Sequence, residues 1–270
     1  MGSQPINLSP VDCSSRALEE AADYGVRLAQ GYLTWLHSNT PARVDGARVL
    51  EIGPGLHYSG AIGLLGAGAT SPVTVADRWL SPWRDDYHKP LYRLIAQTLR
   101  HEGMSGMAQA FDAVAWRGYS NLVRELPCGA ENLKCMSGVF DLVFSNAVLE
   151  HLEDHEAAAR ELFRVTASGG WHFHQVDYRD HRDFTRPLEH LLMSPAEWHM
   201  RSRKESEPFS HGTQLRWTDH ARMFEEAGFE VYKTFPDDFA TPEYLADFQQ
   251  RSGRTDDLSV IGMLFILRKP

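Results

Sequence analysis

The chain has 270 residues, 43% of them hydrophobic and 23% charged, and a formal net charge of −9. This composition suits a soluble globular α/β protein of full size. It argues against nonspecific nucleic-acid binding, which needs a basic face, and no apolar run approaches the roughly 18–20 residues of a membrane span.

Cys13, Cys128 and Cys135 form neither a C-x-x-C pair nor a disulfide framework, so no structural zinc is expected. The opening "MGSQPINLSP" lacks the basic-then-apolar layout of a signal peptide, and a reduced, cytoplasmic compartment is the expectation. In chain order, residues 14–37 read as an amphipathic helix. Leu18, Ala21, Gly25, Leu28, Tyr32 and Trp35 recur at helical spacing, with Ser14 or Ser15 as N-cap. "SNTPARVDGA" is a turn-rich link, and "ARVLEIG" is a short buried strand. A small-residue helix over 59–67, a strand "PVTVADRW" ending at Asp77, and helices over 86–102 and 111–125 follow. "GVFDLVFSNA" is a strand, and Asp154 caps a helix over 155–166 that "SGG" stops before the strand "WHFHQVDY". Alternating helices and strands predict a mostly parallel sheet with helices on both faces. Beyond Tyr178 the chain turns rich in His, Arg, Pro and aromatics, as an insertion or lid would be; "RSRK" at 201–204 reads as a solvated loop. A helix over 218–227 then leads to two terminal strands, "GFEVYKTF" and the one in "DLSVIGMLFILRKP", expected to pair antiparallel at the sheet edge.

The chemistry centres on "VLEIGPGLHYSG". A strand runs into a turn with Gly53 and Gly55, where the backbone can approach a ligand and a helix N-terminus follows. The third glycine of a pyrophosphate-binding turn is missing, since Leu56, His57 and Tyr58 fill its place. Glu51 ends an otherwise apolar strand, where a buried carboxylate is costly unless it is used. Asp77 ends the next strand, 24 residues after Gly53, close to the roughly 20 expected of an acid that accepts from ribose hydroxyls.

"VLEIGPG", "VTVAD", "FDLVFSNAVLEHL" and "ELFRVTASGGWHF", in this order, resemble the class I S-adenosylmethionine-dependent methyltransferases, in particular the broad bacterial group whose fourth strand ends in "LEH". The resemblance spans about residues 47–175. It implies a Rossmann-like, three-layer α/β fold with a seven-stranded, mostly parallel sheet and an antiparallel last strand. It also implies that Glu51, Gly53, Pro54 and Gly55 hold the methionine end and ribose of the cofactor, that Asp77 with Arg78 holds the ribose, and that Ala130 and Glu131 flank the adenine. Ser145 and Asn146 match the position beside the reactive methyl. The family often has an acid where this chain has Gly129; backbone groups or Glu131 would then supply the adenine contact. S-adenosylmethionine carries no phosphate, which explains the missing glycine, and its sulfonium and ammonium groups suit acidic and aromatic walls.

A hydroxyl acceptor needs a base, and candidates cluster in "WHFHQVDYRDHRDF". By strand alternation His172 and His174 share a face; His174 is the favoured base and Asp177 orients it or binds substrate. A metal held by His174, Asp177 and His181 is conceivable, but nothing fixes a geometry and no metal is assigned. His151 is expected to close the strand-to-helix turn, and Tyr24, Tyr32 and Trp35 to pack the first helix onto the core. His57 and Tyr58, and Asp86, Tyr87 and His88, stand where they could wall the pocket. The organisation expected is one methyltransferase domain: a helical cap (1–45), a cofactor-binding core (46–178), a substrate-side insertion or lid (179–225) and a terminal β-pair (226–270). The fourth strand lacks the Asp/Asn-Pro-Pro-aromatic motif of amino-group nucleic-acid methyltransferases, so a small-molecule acceptor is expected, such as a sugar or secondary metabolite, with no nucleic acid or membrane partner. A monomer or homodimer is expected. The competing readings are an NAD-dependent oxidoreductase, whose pyrophosphate path Leu56–Tyr58 would crowd, and a noncatalytic cofactor-binding module.

Overall fold

The computed structural model describes residues 11–204 and 212–270. One sheet contains seven strands: β1 (Val49–Ile52), β2 (Val73–Asp77), β3 (Val123–Pro127), β4 (Phe140–Asn146), β5 (Thr166–Asp177), β6 (Glu230–Phe239) and β7 (Val260–Arg268). Their spatial order is β3-β2-β1-β4-β5-β7-β6. Pairing is parallel from β3 through β5, and β7 runs antiparallel to both β5 and β6. This is the expected mostly parallel sheet with an antiparallel last strand. The order reverses at β1, between β2 and β4, which opens a crevice at the carboxyl ends of these strands.

Strand alternation divides the core. Val49, Val75, Phe144 and Phe173 point to one face, which α1 (Ser15–Asn39), α2 (Ser59–Gly66), α3 (Asp85–His101) and α4 (Ser105–Arg117) cover. Leu50, Ile52, Val143 and Phe265 point to the other, against α5 (His155–Val165) and α7 (Trp217–Ala227). Phe144 stacks between Tyr32 of α1 and Phe173 of β5, with ring centroids 4.7 and 4.9 Å apart. Such pairs contribute about 0.5–1.5 kcal/mol each beyond area burial, which ties the N-terminal helix to the centre of the sheet. The Ser14 hydroxyl accepts from the Ala17 N–H at the start of α1, and the Asp154 carboxylate accepts from Ala157 at the start of α5, as expected of caps.

Several elements differ from expectation. The helix expected over 111–125 is displaced: α4 ends at Arg117, Gly118 adopts φ +69°, and residues 123–127 form β3. In β3 Arg124 and Glu125 are exposed and only Val123 and Leu126 are buried. An edge strand solvated in this way loses the apolar alternation that would reveal it. "SGG" does not separate α5 from a strand either, because β5 starts at Thr166 and carries these residues past a register shift against β4. Finally, α8 (Pro242–Ser252) stands between β6 and β7, started by a Thr241 cap and Pro242 and stopped by left-handed Gly253. The segment after β5 contains α6 (Pro195–Lys204), so "RSRK" at 201–204 ends a helix and is not the loop expected. Among the described residues no helix is long and apolar enough to cross a membrane. "MGSQPINLSP" lies outside the described residues.

Candidate functional site

A cavity of about 670 Å³ opens at the carboxyl ends of β1, β2 and β4, within the range of small-molecule sites. One end is lined by Gly53, Asp77, Arg78, Trp79, Gly129, Ala130 and Glu131. The other is lined by Glu150, His151 and His155, by Pro195, Trp198 and His199 from α6, and by Gly212–Leu215.

The first end follows from the β1–α2 turn. The Gly53 N–H donates to the Ala76 carbonyl at 2.9 Å, which ties the turn to β2. Gly53 adopts φ +63°, and a Cβ there would lie 2.4 Å from Val148 Cγ2, so both conformation and space require glycine. Asp77 ends β2; its Oδ1 accepts from the Trp79 N–H at 2.7 Å, and burial raises its pKa. Ala130 and Glu131 lie on a 3-10 turn (Ala130–Asn132). A Cβ on Gly129 would meet Glu131 Oε2 at 2.5 Å: the Glu131 carboxylate already occupies the space that a side chain at 129 would take. Arg78 pairs with Glu131 at 3.2 Å and with Glu153 at 3.3 Å across the mouth of the cavity.

Gly53, Asp77, Arg78, Ala130 and Glu131 therefore line one cavity, whereas Glu51, Pro54, Gly55, Ser145 and Asn146 do not. The Glu51 carboxylate is used within the core: it accepts from Tyr32 Oη at 2.9 Å and from the Ala61 N–H at 2.8 Å. Burial pushes it up to about 7 despite these hydrogen bonds. Asn146 Nδ2 donates to Tyr24 Oη at 3.2 Å. Tyr32 is buried as expected, but Tyr24 is 43% exposed.

The expected base is corrected. His172 and His174 do share a face, but it is the face that α7 covers. His174 is fully buried and stacked against Phe224 at 5.9 Å. Its Nδ1 is 2.7 Å from Ser145 Oγ and its Nε2 2.9 Å from His172 Nδ1, and His172 Nε2 meets Thr166 Oγ1 at 2.6 Å. Burial drives the His174 imidazole down to about 3. It is a core residue with both nitrogens partnered, and neither it nor the Ser145 bonded to it lines the cavity. Asp177 does not orient His174 either. It forms an ion pair with Arg179 at 2.6 Å and lies 3.6 Å from His181 Nε2. Burial would raise its pKa, but His181 and Arg179 outweigh this and hold it well below the usual carboxylate range.

His57 and Tyr58 also turn inward. His57 bonds Ser59 Oγ at 2.8 Å, and Tyr58 donates to Glu125 at 2.7 Å while stacking on Tyr119. His88 is buried with Nε2 3.1 Å from the Leu56 carbonyl, Tyr87 is buried, and Asp86 is exposed; none lines the cavity. By contrast His151, expected only to close a turn, lines it from the 3-10 turn Leu149–His151. Trp79, Glu150, His155, Trp198 and His199 also line the cavity, and no motif in the sequence marks them individually. The "LEH" stretch and the His- and Trp-rich composition after β5 carried a trace of them.

No curated protein sequence matches the chain. Solved structures share the fold. An S-adenosylmethionine-dependent methyltransferase from Mesorhizobium loti aligns at TM-score 0.52 and 15% identity, covering 93% of this chain and 100% of that one. A phosphoethanolamine N-methyltransferase from Haemonchus contortus, solved with phosphomonomethylethanolamine and S-adenosylhomocysteine, aligns at TM-score 0.52 and 13% identity, covering 97% of this chain and 61% of that one. A family model described as "Methyltransferase domain" matches residues 24–234. This match takes in every strand from β1 to β5 and the whole cavity, and it sets aside the oxidoreductase reading; the chain belongs to the methyltransferase-domain family, class I enzymes that take their methyl group from S-adenosylmethionine.

Proposed function

We propose that this chain methylates a hydroxyl or amine of a small molecule of the sugar or secondary-metabolite kind. Asp77, Arg78, Ala130 and Glu131 hold the adenosine of the cofactor, and residues 179–225 form the acceptor side. The observation that carries this reading is the continuity of the cavity: Gly53, Asp77, Arg78, Ala130 and Glu131, half of the residues expected to bind cofactor, share it with Trp198, His199 and Gly212–Leu215. Asp77 accepts from the ribose hydroxyls, and Glu131 reaches over Gly129 to accept from the adenine amine. Acidic groups and the rings of Trp79 and Trp198 suit a sulfonium cation. The acceptor lone pair forms the new bond to carbon while the C–S pair returns to sulfur, so alignment and exclusion of water supply much of the rate. His151, His155 and His199 stand where an acceptor hydroxyl would lose its proton; burial lowers the His155 pKa, so that imidazole is neutral at pH 7 and able to accept.

Isothermal titration with S-adenosylmethionine and with NAD, followed by a mass-spectrometric acceptor screen for a gain of one CH₂, tests the reading. Binding of NAD but not S-adenosylmethionine would refute it. Asp77→Ala removes charge-assisted hydrogen bonds and is expected to weaken S-adenosylmethionine binding about ten- to hundredfold, with a fall of about 2–4 °C in melting temperature from the lost Trp79 bond. Unchanged affinity would remove Asp77 from the cofactor site.

A further inference from the structure

The carboxyl ends of the adjacent strands β4 and β5 bring three donor side chains together. Glu150 and His151 come from the 3-10 turn after β4, and His181 from the loop four residues beyond the end of β5. One ligating atom from each lies within 4.8 Å of the other two. The His151 and His181 rings meet edge to face, with centroids 5.0 Å apart.

Two of these side chains hold buried atoms with no hydrogen-bond partner. Glu150 is 2% exposed; its Oε1 accepts from the Asp177 N–H at 3.3 Å, but Oε2 has no partner. His181 Nε2 also has none; Asp177 Oδ2, at 3.6 Å, is too far for a hydrogen bond. Buried polar atoms are nearly always satisfied, and leaving them unmade costs about 1–3 kcal/mol each. A structural role alone would close this gap with a hydroxyl or backbone group. Here both side chains belong to one cluster beside the cavity. Glu150 and His151 line it, and so does Gly212, where a Cβ would lie 3.7 Å from His181 Nε2.

We infer that Glu150, His151 and His181 form a binding site for a divalent transition-metal cation at the wall of the cavity. The donor set selects the class. Two imidazoles and one carboxylate suit Zn²⁺, Co²⁺, Mn²⁺ or Fe²⁺, whereas Mg²⁺ and Ca²⁺ take oxygen ligands. Asp177, held by Arg179, lies 3.6 Å from the same His181 Nε2 and adds negative charge that favours a cation there. Three protein ligands leave positions open toward the cavity, where an ion would act as a Lewis acid on an acceptor oxygen. That use rests on the methyl-transfer reading; the binding itself does not.

The test uses tag-free, chelator-dialysed full-length protein titrated with Co²⁺ and Zn²⁺ in the absence of S-adenosylmethionine. The wild type is expected to bind one equivalent, to develop visible Co²⁺ absorption bands and to melt at a higher temperature with metal. Glu150→Gln and His181→Ala, checked by circular dichroism for retained fold, are each expected to bind at least about tenfold more weakly and to lose the bands. No binding by the wild type, or undiminished binding in either folded variant, would overturn the site. Cofactor titration of the same samples separates this from the fate of the methyl-transfer reading, since Asp77 and Glu131 lie outside the cluster.

Discussion

Replacing Gly53 with alanine is expected to destabilise the protein by roughly 2–5 kcal/mol and to abolish measurable cofactor binding. Two penalties add. A non-glycine residue at φ +63° costs about 1–2 kcal/mol, and forcing a methyl group to 2.4 Å from Val148 Cγ2 adds an overpacking cost of about 1–3 kcal/mol. Both residues line the cavity, so relief of the clash deforms the turn where the cofactor is expected to lie. Gly55→Ala is the control. Gly55 adopts φ +72°, but a Cβ there meets nothing within 4 Å, so only the conformational cost applies. Thermal unfolding and calorimetric titration of both variants check this. A double-mutant cycle with Val148→Ala reports the steric part, because shortening Val148 removes the two contacts below 3 Å, keeps one at 3.2 Å to Cβ and leaves the backbone strain. A Gly53→Ala variant as stable as Gly55→Ala would show that the turn yields freely and would refute the argument.

Glu51→Gln is expected to remove a pH dependence of about 3 kcal/mol from the stability of the folded chain. The Glu51 carboxyl is raised from 4.5 to about 7, chiefly by burial. Below pH 4.5 it is protonated in both folded and unfolded chains, and its contribution is fully present. As pH rises from 4.5 to 7 the unfolded chain releases this proton while the folded chain retains it, so stability falls. Above 7 the loss is complete, at about 3 kcal/mol for a displacement of this size. Glutamine can still accept from the Ala61 N–H and cannot ionise. The stability of the wild type relative to Glu51→Gln should therefore drop by about 3 kcal/mol between pH 4.5 and 7, read from urea unfolding at a series of pH values. A constant difference would show that folding leaves the Glu51 pKa unshifted and would refute the expectation.

Much of the framework is legible because its cause is local. The apolar run of β1, the glycine turn, the acid closing β2 and the cap at Asp154 each act through their own few residues, so position in the chain states their role. β3 escapes because Arg124 and Glu125 are exposed side by side, which breaks the alternation a strand would show, and α8 because its cap and stop signals fall in a stretch dominated by the apolar strand that follows. His174 illustrates the harder limit. Alternation places it correctly on one face with His172, yet whether that face meets ligand or core depends on α7, some 50 residues downstream. Phe224 and Phe229 cover it, and desolvation then removes the basicity on which the assignment depended.

The sequence by itself determined a mostly parallel sheet with an antiparallel last strand and, through its resemblance to a known family, the cofactor, since short-range patterns repeated in order leave few topologies open. Only the tertiary structure decided how the carboxylates are used. Glu51 is consumed by Tyr32 and Ala61, while Glu131 fills the space over Gly129. Glu150 is left half-partnered beside His151 and His181. A carboxylate's role depends on which donors reach it and how much water is excluded, and both are set by chain segments that meet only in the fold.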